Sequence, residues 1–155
     1  MKTKITFFII LCSGLVVLTN CNKTNDEPQT LRNSIETPSW TVDTDYDYAS
    51  SMTIIVKVDL KSQFPSLASD FVLSDNDLVA AFSDDRCLGI ATPDEGLFYL
   101  YITEPKAIAN TTLSLKYWSS YYKNVFEAQN TIEFINDAKI GSVLAPFVPR
   151  WIIKM

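Results

Sequence analysis

The chain has 155 residues, 13 basic against 18 acidic, no histidine and a formal net charge of −5. That balance argues against nucleic acid as a partner, because nucleic-acid binders concentrate Lys and Arg. Without histidine there is no Ser-His-Asp triad, no Cys–His pair and none of the usual zinc ligand sets, and no Walker, G-x-S-x-G or dinucleotide motif occurs either, so no catalytic residue, metal or cofactor is assigned.

Residues 1–20 begin with Lys2 and Lys4, continue through about 14 mostly apolar residues and end at Leu18-Thr19-Asn20 before Cys21, the build of a secretory signal peptide. The apolar run is shorter than the stretch of about 20 residues that spans a bilayer. Leu18-Thr19-Asn20-Cys21 resembles the bacterial lipobox. The resemblance implies cleavage before Cys21 and acylation of its thiol, which would hold the chain on a membrane through more than one acyl chain. The alternative is an ordinary secretory signal that leaves Cys21 as a thiol, in which case a Cys21–Cys87 disulfide is open to it in an oxidising compartment. On the lipobox reading Cys87 has no partner, and a lone cysteine in an apolar run suits buried packing better than nucleophilic chemistry.

Residues 21–38 form the second unit, polar and proline-containing, with too little apolar surface to fold alone. They read as a flexible tether behind the acylated Cys21. Asp26-Glu27 resembles the acidic export signal that follows the acylated cysteine in surface lipoproteins. Outer-membrane anchoring with display on the cell surface, rather than on the periplasmic face, is therefore expected. Loss of the leader removes two lysines and no acids, leaving a net charge of about −7, which also argues against anionic lipid headgroups as a ligand.

Residues 39–155 have the length of one domain. Residues 52–60 alternate, with Met52, Ile54, Val56, Val58 and Leu60 on one face, and predict a half-buried strand. A short helical turn is expected within 64–72. Next come two apolar runs, 78–82 and 87–91, around Ser83-Asp84-Asp85-Arg86. They predict a β-hairpin with Asp84-Asp85 at its tip. Its near-continuous apolarity and its small residues, Ala80, Ala81, Gly89 and Ala91, predict cover on both faces and a place at the centre of a sheet. Further strands are expected over 97–103, 112–118, 123–128, 131–135 and 147–152. Short strands at even spacing predict an all-β fold, a single antiparallel β-sandwich, with a partly closed barrel as the alternative.

The hairpin motif, A-A-F followed by a short acidic turn and R-C-x-G-x-A, resembles a small β-domain that recurs in cell-surface proteins and lipoproteins of the Bacteroidota. Trp40-Thr41-Val42, Ser51-Met52-Thr53, the F-Y-L-Y-I of 98–102, the K-Y-W of 116–118 and the late G-S…P of 141–146 extend the likeness over 40–148. It departs at Arg86-Cys87-Leu88-Gly89, where the family more usually has Cys-Arg-Gly adjacent. The resemblance implies a fold and an envelope setting, and no activity or site residue.

The strands 97–103 and 112–118 are expected to pair as antiparallel neighbours. Phe98, Leu100 and Ile102 then share the core face with Leu113, Leu115 and Tyr117. Pairing Leu100 with Leu115 sets Tyr99 opposite Lys116 and Tyr101 opposite Ser114, and puts Tyr99, Tyr101 and Trp118 on one outer strip. Such a strip suits a sugar: ring faces stack on pyranose C–H surfaces while hydroxyls and Lys116 supply hydrogen bonds. The competing reading is that these aromatics pack within the sheet or under a neighbouring segment. Asp43, Asp45 and Asp47 alternate like the start of a calcium loop, but Tyr48 and Ile54 stand where an EF-hand needs Gly and Glu, so a solvated edge is preferred. Asp84-Asp85 and Asp94-Glu95 would serve a glycoside hydrolase only if two carboxylates faced each other across a cleft; turn chemistry is the simpler reading. The expected function is a non-enzymatic, lipid-anchored binding module for a glycan, or else an interaction module for an envelope protein partner.

Overall fold

The computed structural model describes residues 36–42, 48–66, 68–105 and 111–153. The readings made at Cys21, over 1–35 and at Asp43, Asp45 and Asp47 lie outside the described residues.

Two sheets face each other, and neither closes into a barrel. The first holds β1 (Tyr48–Val56), β4 (Pro93–Asp94), β5 (Leu97–Pro105) and β9 (Lys139–Ile140), in the order β4-β5-β1-β9. The second holds β2 (Leu78–Ser83), β3 (Arg86–Ala91), β6 (Thr112–Ser119), β7 (Asn124–Ala128) and β10 (Trp151–Ile153), in the order β10-β7-β6-β2-β3. A two-residue strand, β8 (Ile132–Glu133), pairs with β6. All these pairs are antiparallel except β1–β9. The all-β sandwich expected from the strand spacing is the fold.

Period-two alternation builds the core, as a strand with one buried face requires. Met52, Ile54 and Val56 of β1 and Phe98, Leu100 and Ile102 of β5 point inward from the first sheet. Val79, Ala81, Leu113, Leu115, Tyr117, Phe126 and Trp151 meet them from the second. Full burial of each large side chain contributes roughly 1.5–3 kcal/mol. The helical turn is α1 (Leu60–Gln63), just ahead of the stretch where one was expected. Asp59 caps it by accepting from the Ser62 N–H at 3.1 Å and the Ser62 hydroxyl at 2.6 Å, bonds that hold its carboxyl below the usual range. Gln63 closes the sandwich's far edge: its amide donates to the Pro149 carbonyl at 2.9 Å, and its Oε1 accepts from the Trp151 N–H at 2.7 Å.

β5 and β6 are not neighbours. They lie in different sheets, and the chain crosses from one to the other between them. The expected Leu100–Leu115 pairing is thus replaced by Leu100 opposite Ile54 and Leu115 opposite Ala81. The physical reason is that inward parity is the same whether two strands adjoin or face each other across a core. Phe98, Leu100 and Ile102 do share the core with Leu113, Leu115 and Tyr117, but from the opposite wall.

The predicted hairpin forms as β2 and β3, with Asp84 at its tip in the left-handed region (φ 52°). It is not central, since β3 is the outermost strand of its sheet. Its apolarity reflects cover on both faces rather than strands on both edges. The inner face meets the core. On the outer face Trp40 and Val42 pack over Ala80, Phe82 and Cys87, with the Trp40 and Phe82 rings edge to face at 5.5 Å. Residues 36–42 alternate in exposure, with Pro38, Trp40 and Val42 the less exposed positions, and run along the outer face as a strap. The packed body therefore takes in Glu36, Thr37 and Pro38, which the sequence placed in the tether. Gly89 faces inward where β3 passes β5: a Cβ there would lie 2.4 Å from the Tyr101 carbonyl oxygen, so only glycine allows the two sheets to meet at this corner.

Candidate functional site

Tyr99 and Tyr101 sit two residues apart on β5, on the outer face of the four-stranded sheet, 40% and 59% exposed. Their partners across β1 are Ile55 and Thr53, and Ser51 lies opposite Thr103. On the other side of β1, Thr53 is opposite Lys139 of β9. One row across the sheet thus reads Lys139, Thr53, Tyr101: a cation, a hydroxyl and an aromatic ring. At i and i+2 of one strand the two rings project from the same face, with the Thr53 hydroxyl beside Tyr101 and the buried Ile55 beside Tyr99.

Trp118 and Lys116 do not join this face. They belong to β6 in the other sheet, where Lys116 lies opposite Ala80 and Glu127, and Trp118 opposite Leu78 and Val125. The Lys116 ammonium stands 4.4 Å over the Phe82 ring, a cation–π contact that ties β6 to β2. Trp118 is buried, so its ring offers no stacking surface. The expected strip of three aromatics is therefore split between two faces, and Lys139 supplies the cation that Lys116 was expected to give. Tyr121 is exposed in the turn after β6, while Tyr122 turns back to stack on Phe71 at 5.9 Å.

Trp118 lines a groove of about 730 Å³ on the outer side of its sheet. Asp75 and Asn76 form one wall, Ser120 and Lys123 another, and Glu36 and Thr37 of the strap a third. Beneath the first two walls lies Asp77, fully buried. It accepts from the Tyr117 hydroxyl at 2.7 Å, the Ser120 N–H at 2.8 Å, the Ser120 hydroxyl at 2.7 Å and the Ser74 N–H at 3.2 Å. Burial and the adjacent carboxylate push the Tyr117 phenol far above its usual range, so it stays protonated as the donor.

Asp84 and Asp85 lie exposed at the hairpin tip, and Asp94 and Glu95 at the β4–β5 turn, with the whole length of β3 between the two pairs. They do not converge on a cleft. Among the described residues no group of three or more His, Cys, Asp or Glu is placed to hold a metal, and no helix is long and apolar enough to cross a membrane. Cys87 is a buried free thiol under the strap. Burial raises its pKa, partly offset by its contact with the Gly89 carbonyl and by the charge of Lys116.

Comparison with protein-family models, curated proteins and solved structures returned no significant match.

Proposed function

We propose that this chain is a lipid-anchored protein of the bacterial outer membrane that presents a non-catalytic, glycan-binding β-sandwich at the cell surface. The observation that carries the binding reading is the pair Tyr99 and Tyr101, on one face of β5 and open to solvent, with Thr53 and Lys139 in the row of Tyr101. Aromatic faces stack on the apolar face of a pyranose, and the flanking hydroxyls and ammonium meet its rim. The anchoring reading rests on the basic start, the short apolar run and the lipobox-like residues ending at Cys21.

A glycan array probed with residues 22–155, beside a Tyr99→Ala/Tyr101→Ala variant, tests the binding reading. Specific binding that the variant loses is the expected result. Binding that survives the variant rules out this face, and an array without specific signal rules out glycans as the ligand class. Cys21→Ser in the full chain tests the anchor: the protein should leave the membrane fraction, and retention there would overturn acylation at Cys21. A second reading, an interaction module for an envelope protein, draws on Val143 and Leu144, which are 58% and 97% exposed on the loop after β9. A photo-crosslinker at position 144 in intact envelopes should then capture one discrete partner.

A further inference from the structure

Leu144 is 97% and Val143 58% exposed, adjacent on a short loop that leaves the edge of the first sheet between β9 and Phe147. Loop tips ordinarily carry Gly, Pro or small polar residues, so two neighbouring aliphatic side chains held out in water call for a reason. The loop is also braced. The Ser142 N–H donates to the Ala145 carbonyl at 3.0 Å and the Ala145 N–H to the Ser142 hydroxyl at 3.0 Å, which closes its neck. Below the neck, the Phe147 N–H donates to the Ile55 carbonyl at 2.8 Å and the Lys57 N–H to the Phe147 carbonyl at 2.9 Å, fixing the loop to β1. The result is an apolar knob on a rigid base.

Charge, size and position select its partner. Lys139 of β9, Lys57 just past β1, Lys61 of α1 and Arg150 are all exposed in the segments that frame the knob. The carboxylates interspersed with them are engaged, Asp59 by Ser62 and Asp137 by Asn136. Two aliphatic side chains fall well short of the roughly 800 Å² per partner that a stable protein interface buries. They suit a fluid apolar layer, which needs no matching shape, with the cations at its phosphate rim. Position points the same way. Pro93, Phe98, Val56 and Phe147 form one row across the first sheet. Phe147 roots the knob at one end of that row. Thr92, next to Pro93 at the other end, lines the same groove as Glu36, where the strap begins. The knob and the start of the strap thus lie at the same end of the sandwich. Residues 22–35 span at most about 50 Å, so a lipid on Cys21 would hold the knob within reach of the same surface at high effective concentration.

We infer that Val143 and Leu144 insert into the interface of a phospholipid bilayer and seat the sandwich on it by its β9 edge. That the bilayer is the one carrying Cys21 rests on the anchoring reading; the contact itself does not. The acids at this end, Glu36, Asp75, Asp94 and Glu95, lie on the strap and β4 side, so they tilt the body onto the β9 edge rather than oppose the contact.

The test is flotation of residues 22–155 with vesicles of phosphatidylethanolamine and phosphatidylglycerol. This chain lacks Cys21, so a failed anchor cannot be mistaken for a failed knob. Half-maximal binding is expected near about 1 mM lipid, roughly tenfold weaker than a single myristoyl chain confers. Val143→Asp/Leu144→Asp should weaken it at least about tenfold, and Tyr99→Ala/Tyr101→Ala should leave it unchanged. Both knob positions are exposed, so these variants leave the core intact. Leu144→Trp keeps the knob apolar, and vesicles brominated in their acyl chains should quench the added indole, while the buried Trp118 and Trp151 stay bright. The proposal is overturned if no binding appears up to about 10 mM lipid, if the double aspartate variant floats as the parent does, if the tyrosine variant abolishes binding, or if the added indole is not quenched. A photo-crosslinker at position 144 that captures one discrete protein in intact envelopes, and no phospholipid, overturns it as well.

Discussion

Asp77 shows how much one buried carboxylate can organise. Its four accepted bonds satisfy it fully, and three of them come from β6 and the turn beyond. Asp77→Ala leaves the buried Tyr117 hydroxyl and the Ser120 donors without acceptors, and a loss of about 3 kcal/mol in urea denaturation is expected. Tyr117→Phe removes one donor and leaves three, so its loss should be nearer about 1 kcal/mol. Equal losses would refute this ordering. Nothing in the spacing of Asp77 announces the role, since an aspartate before an apolar run reads as a turn residue. The partners at Tyr117 and Ser120 lie 40 and 43 residues away. The exposure of Tyr99 and Tyr101, by contrast, was legible from the alternation along β5. The burial of Trp118 was not, because the residues that share its groove come from four separate stretches of chain.

The hairpin β2–β3 is the element that the sequence describes best and places worst. Its boundaries, its tip and its double cover follow from local composition. Its edge position does not, because the strap that supplies the outer cover stands some 40 residues before it. Lys139 escaped notice for a related reason: a two-residue strand paired in parallel with β1 has no local periodicity to reveal it. Small residues in the hairpin did carry a legible signal, and Gly89 is where it matters. Gly89→Ala should destabilise by about 3 kcal/mol, since a Cβ would press on backbone that cannot yield. Gly141 is constrained twice, by φ 76° and by the Phe147 N–H that passes within 2.7 Å of any added Cβ to reach the Ile55 carbonyl. Removing the strap's anchor is a test at this scale: Trp40→Ala should make the Cys87 thiol react with a thiol reagent at least about tenfold faster by favouring local opening. An unchanged rate would show that the strap does not guard it.

At the scale of the whole molecule, stability should fall on the alkaline side. Cys87, Tyr117 and Tyr122 all have folded-state pKa values raised above those of the unfolded chain, with burial the leading cause in each. Their contribution is fully present below the unfolded values of about 8.5 for Cys and about 10 for Tyr. As pH rises past them the unfolded state releases protons that the native state keeps, and stability declines. Urea midpoints should begin to drop above about pH 8.5 and steepen above about pH 10, and Cys87→Ser should delay the onset. A flat profile through pH 10 would contradict the burial of these groups.

The strap also decides how the molecule bears a load. Glu36 and Thr37 lie beside Trp118 and Leu78, and Trp40 and Val42 beside Phe82 and Cys87, so the segment runs alongside β2 and in its direction before the chain enters β1. A pull on the N-terminal side, directed along the sheet, reaches this segment first. It meets the Trp40–Phe82 contact in shear, with the apolar side chains sliding together rather than peeling one at a time. The hydrophobic cover of the hairpin is at the same time a cable clamp.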